Sequence, residues 1–310
     1  MQVHVYRHRH RHRHRPLHTG RERESMSTEL KVVGIVGAGQ MGAGIAQVAA
    51  QAGYTVVVSD VADAALVAGQ QTIIGGLARL VKKQTMTQAQ ADDVTRRVTF
   101  TTDIKAHGDC DFVIEAATEN EGLKKKIFGD LDAVVRPDVI LASNTSSISI
   151  TRLASSTRRP NSFIGMHFMN PVPVMKLVEI IRGLATSDET FATTRALAEK
   201  FGKTTTTSKD HPGFIANRIL MPMINEAFYA LLEGVGSAED IDTTMKLGTN
   251  QPMGPLALAD FIGLDTCLAI MNVLHDGIGD SKYRACPLLR QYVDAGWLGK
   301  KRRRGVYLYD

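Results

Sequence analysis

"GIVGAGQMGAGIAQVAAQAGYTVVVSD", residues 34–60, decides how the rest of the chain is read. An apolar run, Lys31–Gly37, leads into glycines at 37, 39 and 42. A stretch of small residues, Gln40–Ala52, has the spacing of a helix and is closed by Gly53. A second apolar run, Thr55–Asp60, ends in an acid. Glycine weakens regular structure by roughly 0.5–1 kcal/mol relative to alanine, so three in six positions mark a backbone that must turn tightly or be approached closely. G-x-G-x-x-G alone is a weak signal. Strand before, helix after and an acid ending the next strand turn it into the dinucleotide fingerprint. The bland alternative is a glycine-rich turn with a capped helix and a surface acid.

In that reading Gly37 allows the turn, Gly39 lets the backbone approach a pyrophosphate, and Gly42 lets helix and strand pack. Ala38, Gln40 and Met41 complete the loop that offers free N–H groups at the positive end of the helix dipole. Asp60 accepts hydrogen bonds from the adenosine ribose. A carboxylate there repels a 2′-phosphate and Val61 supplies no guanidinium, so the expected cofactor is NAD rather than NADP.

Working outward, helical patterns run over Asp63–Lys83, from the Thr87/Gln90 capping pair, and over Glu121–Val135. Strand patterns cover Val98–Thr102, Phe112–Ala117, Val139–Ser143, Phe163–Phe168 and Lys176–Ile181. Alternation of this kind predicts a mostly parallel sheet covered on both faces. After about Thr207 strand-like runs vanish. Helical patterns follow over Pro212–Leu232, Ala238–Leu247, Pro255–His275 and Pro287–Ala295. The expected fold class is an α/β Rossmann-type N-terminal domain, residues 29–207, joined to an all-α C-terminal domain, residues 208–310.

Residues 1–28 form an Arg/His-rich leader that has no apolar face and is expected to be disordered, with Met26 as the expected functional start. Of 37 Lys and Arg and 32 Asp and Glu, the first 25 residues hold seven Arg and two Glu. The whole net charge of +5 therefore lies there and the remainder is balanced at 30 of each sign. That removes the electrostatic argument for nucleic-acid binding. No apolar run approaches the roughly 20 residues of a membrane span, so no membrane partner is expected. Cys110, Cys267 and Cys286 are odd in number and widely spaced, as expected of reduced thiols in a cytoplasmic protein and unlike a disulfide framework or a metal site.

Outside the leader only His107, His167, His211 and His275 remain. His107 in "KAHGD" reads as a surface turn, His211 as a helix cap beside Pro212, and His275 as a cation at a helix end. His167 in "FIGMHFMNPVPVMKLVEII" ends an apolar strand before a proline-broken turn, where open α/β sheets bind ligands. Taken alone, a His between Met and Phe is more often structural. Glu179, inside the next strand, is an odd place for a carboxylate without a partner, and a His167–Glu179 pair accounts for both. Ser146 in "ASNTSSISI" follows another strand and is a candidate substrate donor or simply a helix cap.

The stretches "GAGQMGAGIAQVAAQAGYTVVVSD", "SNTSSISI", "GMHFMNPVPVMKLVE", "DHPGFIANRI", "EDIDTTMKLGTNQPMGPLALADFIGLD" and "GVYLY" together resemble the short-chain L-3-hydroxyacyl-CoA dehydrogenases over about residues 30–310. The likeness is nearest to the bacterial type acting on 3-hydroxybutyryl-CoA. It implies His167 as the catalytic base, Glu179 as its acidic partner, and Ser146 and Asn217 as groups holding the substrate. It further implies cofactor contacts from Glu119, Lys124, Ser146, Asn170 and Lys301, a CoA contact from Lys83, and a homodimer joined through the helical domain. The partner implied is an acyl-CoA thioester. Two departures stand out: Gly76 where relatives carry Ser, and Arg302 and Arg303 in a tail that usually holds small residues. Competing readings are a 3-hydroxyadipyl-CoA dehydrogenase of aromatic-acid catabolism, an L-gulonate-type dehydrogenase and a non-enzymatic crystallin-like NAD-binding protein. The presence of both His167 and Glu179 argues against the last.

Overall fold

Two strands and the glycine turn between them organise the computed structural model, which describes residues 30–310. The leader and the expected start at Met26 lie outside the described residues. β1 (Val32–Val36) is almost wholly buried and passes through the turn into α1 (Gln40–Gln51). β2 (Thr55–Ser59) then pairs parallel to β1. The order continues with α2 (Asp63–Lys82), α3 (Gln88–Arg96), β3 (Val98–Thr101), β4 (Phe112–Glu115), α4 (Glu121–Val134), β5 (Ile140–Ser143) and α5 (Ile150–Ala154). β6 (Phe163–Phe168), β7 (Leu177–Arg182), α6 (Asp188–Lys200) and β8 (Thr204–Lys209) complete the first domain.

The eight strands lie in the order 3-2-1-4-5-6-7-8. Every neighbouring pair is parallel except β6 and β7, which form an antiparallel hairpin. The chain reverses its direction of travel across the sheet between β1 and β4, and the crevice at that switch point is where such sheets bind ligands. One apolar layer, including Ile45, Ile73, Leu77 and Leu197, packs under α1, α2 and α6. A second, around Phe128, Leu131 and Leu153, packs under α4 and α5. The capping pair forms at α3: Gln90 N–H donates to Thr87 Oγ1 at 3.2 Å and Thr87 N–H to Gln90 Oε1 at 2.8 Å.

The helical domain comprises α7 (Ala216–Leu232), α8 (Ala238–Gly248), α9 (Pro255–Ile262), α10 (Leu264–Ile278) and α11 (Pro287–Asp294). Its own core holds Met221, Phe228, Leu256, Met271 and Leu274.

Several expectations are corrected. Lys176–Ile181 is not the last strand of the sheet: β8, "TTTTSK", follows it and is paired parallel to β7. It is a polar edge strand with mostly exposed side chains, so it lacks the apolar alternation that reveals a strand, although threonine suits one. α6 carries Thr190, Thr193 and Thr194, poor helix formers, and is started by Ser187, whose hydroxyl accepts the Thr190 N–H at 3.1 Å. The single helix expected over 255–275 breaks at Gly263, whose φ is +105°, and its halves meet at 98°. Residues 212–215 are a turn rather than helix, because Gly213 and Phe214 both have positive φ; His211 is exposed and caps nothing. α2, 20 residues long with mean hydropathy 1.3, is long and apolar enough to cross a membrane. Here its Leu66, Gly69, Ile73 and Leu77 face the core at helical spacing.

Candidate active site

The glycine turn is shaped by close contacts. Gly37 has φ +104°, and a Cβ on it would lie 2.7 Å from the Ala116 carbonyl oxygen. Its N–H donates to the Ser59 carbonyl at 2.7 Å. A Cβ on Gly42 would lie 1.8 Å from the Gly37 carbonyl oxygen. At Gly39, in contrast, nothing lies within 4 Å of a built Cβ, so that backbone opens outward. No side chain caps the start of α1, which leaves its first N–H groups to an anion. Asp60 flanks this opening, with Oδ2 accepting the Ala38 N–H at 2.8 Å and Oδ1 the Ala62 N–H at 3.2 Å. An uncapped helix end that no Cβ obstructs, beside a fixed carboxylate, fits a dinucleotide. Half-buried Met41 lies next to it, and Gln40 donates to Asn170 Oδ1 at 3.1 Å. The loops after β1 and β6 are thus joined.

Glu119, in the loop after β4, reaches the loop after β5. One oxygen, Oε1, accepts from Thr145 Oγ1, from the N–H groups of Ser146 at 2.9 Å and Ser147 at 3.1 Å, and from the Ser147 hydroxyl at 3.0 Å. Burial alone would raise its pKa. The Lys124 charge and the Thr145, Ser146 and Ser147 donors outweigh burial and hold it below the usual carboxylate range. Lys124 is itself 1% exposed. Its ammonium donates to Glu115 Oε1 at 2.6 Å and lies 3.6 Å from Glu119 Oε2. The second Glu115 oxygen accepts from Ser143 Oγ at 2.7 Å. A buried ion pair therefore supports the Ser146 loop from below.

His167 and Glu179 are cross-strand partners in the β6–β7 hairpin, with Nδ1 and Oε2 2.8 Å apart. Glu179 Oε1 accepts two further N–H groups, from Ile215 and Ala216 at the head of α7, each at 3.0 Å. Burial would raise its pKa, but His167 and the two backbone donors hold it below the usual carboxylate range. An ionised carboxylate can only accept, so Nδ1 of the neutral ring carries the proton and Nε2 is the basic nitrogen. Phe214, at φ +49°, packs its ring 5.8 Å from the His167 ring. A positive φ on a bulky residue is strained. Asn217, 8% exposed on the first turn of α7, donates to the Ser146 carbonyl at 3.2 Å. A cavity of about 360 Å³ opens next to this loop, between the domains, with Ser147, Arg152, His211 and Asn272 in its wall.

The structure thus brings Ser146, Glu119 and Lys124 together, and likewise His167, Glu179 and Asn217, with Asn170 tied to the cradle. Lys83 caps the end of α2, exposed. Gly76 faces α1, where a Cβ would lie 2.5 Å from Gln47 Oε1. Within the chain Lys301 does not join the cradle: its ammonium pairs with Asp265 at 2.8 Å, at the start of α10. Arg302 and Arg303 are exposed. His107, expected on a surface turn, is fully buried because its ring fills the space above Gly34.

Two residues of this region were missed. Glu115 in "FVIEAA" is a fully buried acid that ends β4, an acid in an apolar run like the one that singled out Glu179. Asn144, directly after β5, accepts the Phe168 N–H at 2.9 Å and fixes the end of the His-bearing strand. Among the described residues, no group of three His, Cys, Asp or Glu is placed to hold a metal.

Comparison with known proteins follows the same division of the chain. The family model described as 3-hydroxyacyl-CoA dehydrogenase, NAD binding domain, matches residues 32–211. That described as 3-hydroxyacyl-CoA dehydrogenase, C-terminal domain, matches residues 213–309. A 3-hydroxybutyryl-CoA dehydrogenase of Bradyrhizobium diazoefficiens is 57% identical over 284 residues, 92% of this chain and 97% of that protein. One from Clostridioides difficile is 47% identical over 276 residues, 89% of this chain and 98% of that protein. The crystal structure of (S)-3-hydroxybutyryl-CoA dehydrogenase PaaH1 from Ralstonia eutropha matches with a TM-score of 0.89 at 55% identity, covering 91% of this chain and 99% of that one.

Proposed function

The chain belongs to the 3-hydroxyacyl-CoA dehydrogenase family, and from that premise we propose that it interconverts (S)-3-hydroxybutyryl-CoA and acetoacetyl-CoA. NAD, when bound, supplies the acceptor or donor of hydride at C3. The observation that carries the proposal is the His167–Glu179 pair, whose 2.8 Å bond leaves Nε2 as a base facing away from the carboxylate.

In oxidation His167 Nε2 takes the proton of the 3-hydroxyl. The ring becomes a cation, and Glu179, held by two N–H groups of α7, stabilises that cation without moving. Ser146 and Asn217 hold the thioester and the reacting oxygen from the two domains, which fixes the geometry before the proton moves. In reduction His167 returns the proton. Residues 37–42 hold the pyrophosphate, Asp60 the adenosine ribose, and Glu119 and Asn170 the nicotinamide end, while buried Lys124 steadies Glu119 from beneath and does not itself reach the cofactor. Lys83, on an open rim, meets the phosphates of CoA.

We further propose a cytoplasmic homodimer joined through the helical domain. Its surface carries Ile219, Val235, Leu247 and Phe261, all large, apolar and exposed, side chains that such an interface would cover. Three buried free thiols suit a reducing compartment.

The test is a kinetic series with NADH over 3-oxoacyl-CoA esters from four carbons upward, with a six-carbon dicarboxylic ester and L-gulonate oxidation alongside. The highest kcat/KM is expected on acetoacetyl-CoA. A higher value on the dicarboxylic ester would move the assignment to 3-hydroxyadipyl-CoA. Turnover of gulonate without turnover of thioesters would overturn it.

A further inference from the structure

His107 lies in a 3-10 turn, Ile104–Asp109, between β3 and β4, outside the catalytic group. Its ring is wedged against β1: a Cβ on Gly34 would lie 2.4 Å from Nδ1. This accounts for a fourth glycine that the dinucleotide fingerprint does not need. Nε2 lies 2.7 Å from the Ser59 hydroxyl, and Nδ1 lies 3.7 Å from Cys110 Sγ. Ser59 is 4% exposed, so its hydroxyl has little water to turn to. Burial holds the His107 pKa down to about 4, and the ring is neutral at neutral pH.

Ser59 is the last residue of β2 and occupies a junction. Its carbonyl accepts the N–H of Gly37, the first glycine of the turn, at 2.7 Å. The next residue is Asp60, whose N–H donates to Thr101 at 3.2 Å and whose carboxylate ties down Ala38 and Ala62. A change in where Ser59 rests is therefore passed both to the glycine turn and to the ribose carboxylate. We propose that His107 is a positioning residue for the adenosine half of the cofactor: through the Ser59 hydroxyl it fixes the peptide that anchors Gly37 and aims Asp60. The inference rests on Asp60 as the ribose acceptor and adds a residue that touches neither cofactor nor substrate.

The variants are Ser59→Ala, which removes the hydroxyl with almost no change of volume, His107→Leu, which fills the space without a polar atom, and His107→Gln, which restores a polar group. Steady-state kinetics with NADH, NADPH and acetoacetyl-CoA are measured on each, with inhibition by ADP-ribose. Ser59→Ala and His107→Leu should raise KM for NADH and Ki for ADP-ribose together, by about 3- to 10-fold, the range set by one buried hydrogen bond. The preference for NADH over NADPH should narrow, while kcat and KM for acetoacetyl-CoA stay within about twofold. The double variant should be no worse than the more affected single one, since both remove one bond. His107→Gln should recover most of the affinity. Where His107→Leu fails to fold, Ser59→Ala decides. Unchanged NADH KM, ADP-ribose Ki and cofactor preference in Ser59→Ala would overturn the inference and leave the pair as core packing. Asp60→Ala separates the two levels. If it weakens NADH while the Ser59 and His107 variants do not, only the positioning role falls. If it changes nothing, the ribose assignment itself falls.

Discussion

Glu179 holds His167 with one oxygen and the head of α7 with the other, so a single carboxylate spans the nucleotide-binding sheet and the helical domain. The base is thereby oriented by a group that is itself fixed from the second domain.

Replacing either member should separate chemistry from binding. His167→Gln is expected to lower kcat by the roughly 10² to 10⁴ typical of a general base, with NADH affinity near normal by fluorescence titration. Glu179→Gln can donate to Nδ1 and so present the wrong tautomer, and should cost on the order of 10² in kcat. A His167→Gln enzyme that keeps most of its kcat would mean another base.

Lys83, exposed at the end of α2, should matter for CoA alone. Lys83→Ala is expected to raise KM for acetoacetyl-CoA several-fold, on the scale of one phosphate contact, and leave KM for NADH unchanged. On a truncated thioester without the nucleotide the effect should disappear. An equal rise on both esters would show that Lys83 only supports the helix.

The buried pair Glu115–Lys124 should behave as a unit. Glu115→Ala leaves an ammonium that is 1% exposed with only the more distant Glu119 carboxylate, 3.6 Å away, and a loss toward the lower end of the about 3–5 kcal/mol typical of a broken buried pair is expected. Lys124→Met in the same chain should restore much of the loss, because the stranded charge is gone. Urea unfolding of the two single variants and the double variant checks this. Additive losses would show that the pair is not coupled.

Stability should fall with acid in two stages. His107, ordinarily near 6.5, is held to about 4 by burial. Between those values the unfolded chain takes up a proton that the folded chain refuses, so stability drops as pH falls from 6.5 to about 4, by up to ~3 kcal/mol. Glu119 and Glu179 are held below the ordinary 4.5. Their contribution is present above 4.5 and is lost as pH falls through their lowered values. His107→Gln should flatten the first stage and keep the second in urea unfolding at pH 7, 5.5 and 4. An unchanged slope above pH 4.5 would show that His107 does not carry it.

Much of this site is legible because its signals are local. The glycine turn is written in consecutive residues, and His167 and Glu179 betray themselves as polar groups inside apolar strands. What escapes is set by distant contacts. "KAHGD" looks like a turn and is one, yet its histidine is buried because β1 offers a glycine 73 residues earlier. β8 is five hydroxyl residues and one lysine, and only pairing with β7 makes it a strand. Gly263 breaks a helix by its positive φ, where a lone glycine in a helical pattern is often tolerated. Glu115 carries the same kind of signal as Glu179: a buried acid in an apolar strand asks for a partner, here Lys124.

Gly277 on α10 rests against Pro212, with room for hydrogen and nothing more: a Cβ there would lie 2.7 Å from the proline ring. Pro212 begins the turn that delivers Ile215 and Ala216 to Glu179. The seam between the two domains therefore works like the fulcrum of a balance. An added methyl at Gly277, which touches no catalytic side chain, would tilt α7 against the sheet and register as slower turnover in an enzyme that still captures both of its ligands.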